Sequence, residues 1–307
     1  HLRLTQIKRH VLDYPGVYIS HDIDEWMYGT SEEAAAAGWL TPQQVRGKYP
    51  NEQEFEEALL KISQFSRTET HQHSHTSGVW EVFEQKICRF LQIFNQEDLF
   101  REYLLYSLEH LIGNGYSRVE LRVEFFPIKR RNPKEMLDER GILDIYEEVE
   151  RELQKKHPHF TIGLIVYGLK NAPLDELERY FRMVYSLESP LIVAVDMVQE
   201  EDANPEFEVY EPMFSKIRKE FEGKRTLAGV YHAGETIHAQ NRNIEKVVEF
   251  GSVRIGHGIN LHQVRSQLNL AARRSPDRQG KEHLRGGVPF EQPVPMLCQE
   301  PEPASGY

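Results

Sequence analysis

The chain has 307 residues, of which 39% are hydrophobic, and this length is enough for one large domain or two small ones. It carries 37 basic and 48 acidic side chains, a net charge of −11, which disfavours nucleic acid and anionic membranes as partners. No apolar run approaches the ~20 residues that a membrane span needs. Two cysteines, Cys88 and Cys298, are too few for a disulfide framework.

The first third of the chain is predicted to be largely helical, and we expect a helical insertion over about residues 20–115. The spacing of Trp80, Phe83, Ile87, Phe90 and Phe94 gives one apolar helical stripe, and a second follows from Phe100 to Leu111.

Alternating histidines at His71, His73 and His75 suggest a metal site at first sight. Their neighbours are Thr, Ser, Gln and Gly, which do not form a strand, so a solvated loop is the favoured interpretation.

A regular alternation of strands and helices begins after residue 115. Continuous apolar strands separated by amphipathic helices indicate a parallel sheet covered on both faces. We therefore predict the α/β class and an incomplete (β/α)8 TIM barrel, with about five of the eight strands present. The five candidate strands are Val119–Phe126, Phe160–Tyr167, Leu191–Val198, Thr226–Tyr231 and Ser252–Ile255.

Two of these strands end in residues suited to catalysis. Thr226–Tyr231 leads into His232, Gly234 and Glu235, and Ser252–Ile255 leads into His257 between two glycines. Hydrolysis at a metal site needs a neutral imidazole as ligand, a carboxylic acid to move a proton and a second imidazole near the water. We predict that the two strands are adjacent and parallel and that both imidazoles face one cavity.

The H-A-G-E sequence at 232–235 and R-I-G-H-G at 254–258 together resemble the adenosine deaminase family. Segments upstream, among them Leu191–Asp202, resemble its secreted, growth-factor-type branch, and the likeness covers roughly Leu12 to His262. The resemblance implies a zinc (Zn2+) cofactor, a purine nucleoside substrate and an extracellular location, with the cytoplasm as the alternative. It is compatible with a homodimer of the full-length parent.

The resemblance also implies roles for individual residues. His232 would bind zinc, Glu235 would bind the substrate and protonate its ring, and His257 would orient and deprotonate the attacking water. His1 fits the second half of the family's H-x-H-L motif and would be a further zinc ligand. Glu120 would bind a ribose hydroxyl, or it would form an ion pair inside the barrel. Each histidine and carboxylate also has a purely structural alternative, as a hydrogen-bonded residue at a strand or helix end.

The chain departs from the family pattern at several positions. Ala194 and Gln199 stand where the family usually has glycine, and Arg3 stands in place of an acidic residue. The family's Asp-Asp pair is absent after His257, where Asp277 is the sole aspartate.

We therefore expect an incomplete barrel over 1–262, cut at both ends, and a disordered, low-complexity tail over 263–307. The predicted function is zinc-dependent deamination of adenosine to inosine and ammonia. The alternatives are a catalytically impaired fragment or pseudoenzyme that only binds, and deamination of AMP or adenine.

Overall fold

The computed structural model describes residues 12, 14–23, 25–63, 76–130, 135–236, 238 and 240–261. His1, the histidines between 71 and 75, and the tail from 263 to 307 lie outside these residues. The strands are β1 (Val17–Ile19), β2 (Trp26–Tyr28), β3 (Arg118–Val123), β4 (Ile128–Lys129), β5 (Met136–Leu137), β6 (Thr161–Leu169), β7 (Ile192–Val198), β8 (Ala228–Ala233) and β9 (Arg254–His257). The helices are α1 (Ser31–Ala36), α2 (Pro42–Arg46), α3 (Glu52–Ser63), α4 (Thr76–Phe94), α5 (Glu97–Gly113), α6 (Glu139–Gln154), α7 (Leu174–Ser186), α8 (Glu211–Glu220) and α9 (Asn243–Glu249).

The central feature is a five-stranded parallel sheet in the order β3-β6-β7-β8-β9. Six of the nine residues of β6 are buried, as expected for a strand covered on both faces. The sheet is curled and corresponds to an incomplete TIM barrel, so the predicted fold class is confirmed.

The chain forms two compact units. The first runs to Leu164 and includes Ser189–Ile192, and the second comprises Ile165–Glu188 and the described residues from Val193 onward.

The first unit contains the helical region and two short antiparallel strand pairs, β1 with β2 and β4 with β5. Its helices begin where the sequence supplies caps. The Thr30 and Glu33 side chains form a reciprocal capping box at α1, which pairs N–H groups that the first turn would leave without acceptors. Trp26, Phe55 and Leu59 are completely buried and belong to the core of this unit.

The second unit holds the carboxyl ends of β6, β7, β8 and β9. On one face of the sheet, Ile165, Ala194 and Val230 form an apolar cluster. On the other face, Tyr231 packs its ring against Phe207 at 4.6 Å and Phe214 at 5.3 Å between centroids. Strand β8 is thus held from both sides, and this fixes the direction of the residues at its carboxyl end.

Among the described residues, no helix combines the length and the apolar character that crossing a bilayer requires.

Candidate active site

The two motif strands are neighbours. β8 and β9 pair in parallel, with His232 opposite Gly256 and Ala233 opposite His257, so the prediction of adjacent parallel strands is confirmed. By simple alternation, His257 would share the face of Ala233 and point away from His232. His257 instead has a left-handed backbone (φ 68°), and the two imidazole rings lie 5.0 Å apart between centroids. The left-handed backbone of His257 thus interrupts the alternation of side chains along β9 and brings the imidazole rings of His232 and His257 to the same side.

Asp196 on β7 fixes the orientation of His232. Its Oδ1 accepts hydrogen bonds from the backbone N–H groups of Met197 (2.7 Å) and His232 (2.8 Å). Its Oδ2 lies 2.6 Å from Nδ1 of the His232 ring, and the Asp196 side chain is fully buried. An ionised Asp196 requires the proton on Nδ1 of a neutral imidazole, which leaves the Nε2 lone pair as the ligand nitrogen.

Glu235 and His257 form the second pair of functional groups. Oε1 of Glu235 lies 3.3 Å from Nε2 of His257, with 23% of the Glu235 side chain and 37% of the His257 side chain exposed. Burial raises the pKa of the Glu235 carboxyl, and the neighbouring acids Glu201 and Asp202 raise it further. His232 and Lys170 act in the opposite direction on this pKa. The net effect favours the protonated acid, the form that can donate a proton.

A buried carboxylate, Glu201, holds the turn that carries Glu235. Its Oε1 accepts from the backbone N–H of Gly234 at 3.0 Å, and its Oε2 accepts from the N–H groups of Glu235 at 2.5 Å and Thr236 at 3.2 Å. Asn243 at the start of α9 donates its side-chain amide to Oε1 at 2.7 Å. An ionised carboxylate only accepts, so four donors match it well.

Lys170 follows the end of β6 and is 4% exposed. Its backbone N–H bonds to the Val198 carbonyl and its carbonyl accepts from the Tyr210 hydroxyl, which anchors the residue beside the end of β7. Within the described part of the chain, Nζ has no hydrogen-bond partner. Burial lowers the pKa of this ammonium, while the charges of Glu201, Asp196 and Glu235 oppose that shift.

Gly234 and Gln199, which follow the ends of β8 and β7, also have positive φ. Gly234 has φ 74°, and a Cβ there would come within 2.4 Å of Ile244 and 2.6 Å of Asn260, so both conformation and space require glycine. Gln199 has φ 116°, a region that non-glycine residues rarely adopt. The backbone at this position thus has a conformation that favours glycine, although the residue is glutamine.

Two further residues were predicted from the sequence, Glu120 and His1. Glu120 on β3 belongs to the first unit, and its Oε1 lies 3.3 Å from Nη2 of Arg118, whose side chain is 57% exposed. An ion pair of Glu120 inside the barrel therefore stays a prediction. A ribose contact by Glu120 remains a prediction. His1 lies outside the described residues.

Sequence reasoning missed Glu201 and Lys170 as members of the site. Each follows shortly after a continuous apolar strand, and this position at a strand end was the sequence feature that could have indicated a place in the site. The donors bound by Glu201 lie more than thirty residues further along the chain, which a local pattern does not reveal.

The described residues contain no group of three or more His, Cys, Asp and Glu side chains placed to hold a metal ion. They fit such an ion only in part: Asp196 orients the His232 ring so that Nε2 is left to bind a metal, but one suitable ligand does not make a three-residue group.

The fold establishes the structural class of the chain, which is an incomplete (β/α)8 barrel. Its structure is similar to that of an adenine deaminase from Arthrobacter aurescens. In that comparison the TM-score is 0.51 and the sequence identity 15%, covering 78% of this chain and 62% of the other. No family model matches the chain.

Comparison with proteins of similar sequence gives a more specific similarity than the fold does. The chain is 25% identical over 242 residues to adenosine deaminase 2 of Pongo abelii, covering 76% of this chain and 46% of that protein. It is 25% identical over 233 residues to adenosine deaminase 2 of Homo sapiens, covering 73% and 44%. The chain is therefore a homologue of adenosine deaminases, and it spans about half the length of the curated relatives it matches.

Proposed function

We propose that this site carries out hydrolytic deamination of adenosine to inosine and ammonia. The observation that carries the proposal is the placement of Glu235, a largely buried acid with a raised pKa, 3.3 Å from His257. A protonated carboxyl beside an imidazole provides the proton donor and acceptor that attack of water on a purine ring requires.

In the proposed reaction, Glu235 donates a proton to the ring nitrogen, which makes the C6 carbon a better electrophile. His257 accepts a proton from the attacking water, whose oxygen forms a bond to C6. The C6–N bond then breaks, and the amino group leaves as ammonia with the proton that His257 took from the water. The proton of the new C6 hydroxyl returns to Glu235 as the carbonyl of inosine forms. Partial exclusion of water from Glu235 strengthens these proton transfers.

A divalent metal, which we propose to be zinc, belongs to this function. When bound, zinc lowers the pKa of a coordinated water to near 7. Of the described residues, His232 would hold it through Nε2, because Asp196 already binds Nδ1. His1 is the second proposed ligand, and further ligands are not assigned.

The direct test is formation of inosine by the purified chain supplied with adenosine and zinc, measured by chromatography. Product above the level of the Glu235→Gln variant supports the proposal. Equal product from both proteins contradicts it. AMP and adenine assayed in parallel test the proposed preference for the nucleoside, which is wrong if either is converted faster.

A second candidate function is binding of a purine nucleoside without turnover. The observation that favours it is the lack of a three-residue metal group within the described ranges. Calorimetry separates the two candidates. Adenosine binding without inosine formation, with zinc present, establishes the binding-only function, whereas inosine formation rules it out.

The remaining expectations also stay proposals. We propose an extracellular location, with the cytoplasm as the alternative, and a homodimer for the parent protein. Detection of the protein in cell medium and its mass in solution test these two. We also propose that residues 1–262 are the folded domain, which limited proteolysis contradicts if it removes no part of 263–307.

A further inference from the structure

The Gly234–Thr236 turn, which carries the proposed proton donor, has its backbone N–H groups directed at one buried side chain. All three consecutive N–H groups donate to Glu201, at 3.0, 2.5 and 3.2 Å. Glu201 is 4% exposed and comes from the segment after β7, more than thirty residues earlier in the chain. Such a turn would otherwise leave buried donors unpaired, which is costly.

The carboxylate oxygens of Glu201 accept hydrogen bonds from this turn instead of pairing with a neighbouring cation. Lys170 is buried nearby and interacts with Glu201 electrostatically, yet its Nζ makes no hydrogen bond within the described part of the chain. The fourth donor is the Asn243 side chain, whose own Oδ1 accepts from the N–H of Phe207 at 2.6 Å. Asn243 therefore links Glu201 to the start of α9 and to Phe207, whose ring packs against Tyr231 of β8.

We infer that Glu201 is a positioning residue, which acts through the backbone of residues 234–236 to hold the Glu235 carboxyl beside His257. The inference rests on the proposed function and deepens it, because it assigns the group that sets the position of the proton donor. A displacement of about 1 Å of a reacting group can cost about 100-fold in rate. A turn that samples several conformations would therefore hold the Glu235 carboxyl too loosely for efficient proton transfer.

The test compares Glu201→Gln with Glu201→Asp and with Glu222→Gln, an exposed glutamate that serves as the matched control. Glutamine has the same shape, but its NH2 group cannot accept from a backbone N–H, so at least one donor of the turn loses its partner. Aspartate keeps both acceptor oxygens and should rescue part of the effect.

The first measurement is backbone amide hydrogen exchange. In Glu201→Gln, exchange at Gly234, Glu235 and Thr236 should accelerate about 10- to 100-fold, the equivalent of losing hydrogen bonds to a charged acceptor. Exchange at Val230 and Tyr231 in the middle of β8 should stay unchanged. The second measurement is steady-state kinetics, in which kcat should fall about tenfold or more with KM within about twofold, because the proton donor acts in the transition state.

The two readouts separate the inference from the function on which it rests. If the wild-type chain forms no inosine, the proposed function fails, and selective loosening of 234–236 still supports the positioning role of Glu201. Unchanged exchange in the turn, or a kcat loss no larger than in Glu222→Gln, overturns the inference. If Glu201→Gln does not fold, Glu201→Asp is judged by the same criteria. Failure of both to fold also overturns it, because Glu201 then supports the whole unit.

Discussion

At the scale of single residues, Glu235 has the most direct effect on the chemistry. Burial raises the pKa of its carboxyl, so the acid keeps its proton to a higher pH than an exposed glutamate does. Replacing it by glutamine keeps the shape and removes the transferable proton. We expect Glu235→Gln to lower the rate of inosine formation by about 10²–10⁴-fold with the fold intact.

The same pKa gives a prediction for the pH profile. Donation requires the protonated carboxyl, so kcat/KM should fall as the pH rises through the raised pKa of Glu235. The Glu222→Gln control should have the wild-type profile. A wild-type rate that is independent of pH on the alkaline side would contradict the donor role.

Gln199 gives a prediction about stability. Its φ of 116° places a residue with a Cβ where glycine is favoured, at a cost on the order of 1–3 kcal/mol. We therefore expect Gln199→Gly to raise the free energy of unfolding in urea by about 1 kcal/mol, after the greater freedom of glycine in the unfolded chain is subtracted.

The matched variant is Gln199→Ala, which removes the side-chain contacts but keeps the Cβ and hence the strain. It should be no more stable than the wild type. If both variants change stability equally, the strain explanation is wrong.

At the scale of elements, β8 depends on the helices packed against its outer face. Phe214 of α8 is completely buried, and its ring contacts those of Phe181 at 4.8 Å and Tyr231 at 5.3 Å. Truncation would leave a cavity between α8 and β8. We expect Phe214→Ala to lower the free energy of unfolding by about 3–5 kcal/mol.

The control is Val209→Ala, at a side chain that is 43% exposed, where the loss should be within about 0.5 kcal/mol. Denaturant unfolding measures both. A loss at Phe214 as small as that at Val209 would show that the cluster does not support β8.

The elements also show what the sequence could and could not predict. Strands β6 and β7 were predictable because each is a nearly continuous apolar run, and the helices because their apolar residues repeat at helical spacing. Strand β8 nevertheless continues through Ala233, two residues past the predicted end, because its ladder with β9 extends to His257. The left-handed backbone of His257 and the bonds from Glu201 to the turn depend on segments distant in sequence, so local patterns did not reveal them.

At the scale of the whole molecule, metal binding should couple to folding. A ligand that binds only the folded chain stabilises it, by about 2.7 kcal/mol when its free concentration is 100-fold above Kd. We expect zinc to raise the unfolding temperature of the wild type. His232→Ala should abolish this increase, whereas His238→Ala, at an exposed histidine, should retain it. An equal response from both variants would exclude His232 as the ligand.

The central claim is that water replaces the amino group of adenosine at this site. The most direct measurement is the reaction of the zinc-supplemented chain with adenosine in heavy-oxygen water, followed by mass spectrometry of the product. The account predicts inosine that carries one heavy oxygen atom at C6, together with ammonia, in the wild type and at a strongly reduced level in Glu235→Gln. Adenosine recovered unchanged, or unlabelled inosine, would contradict it.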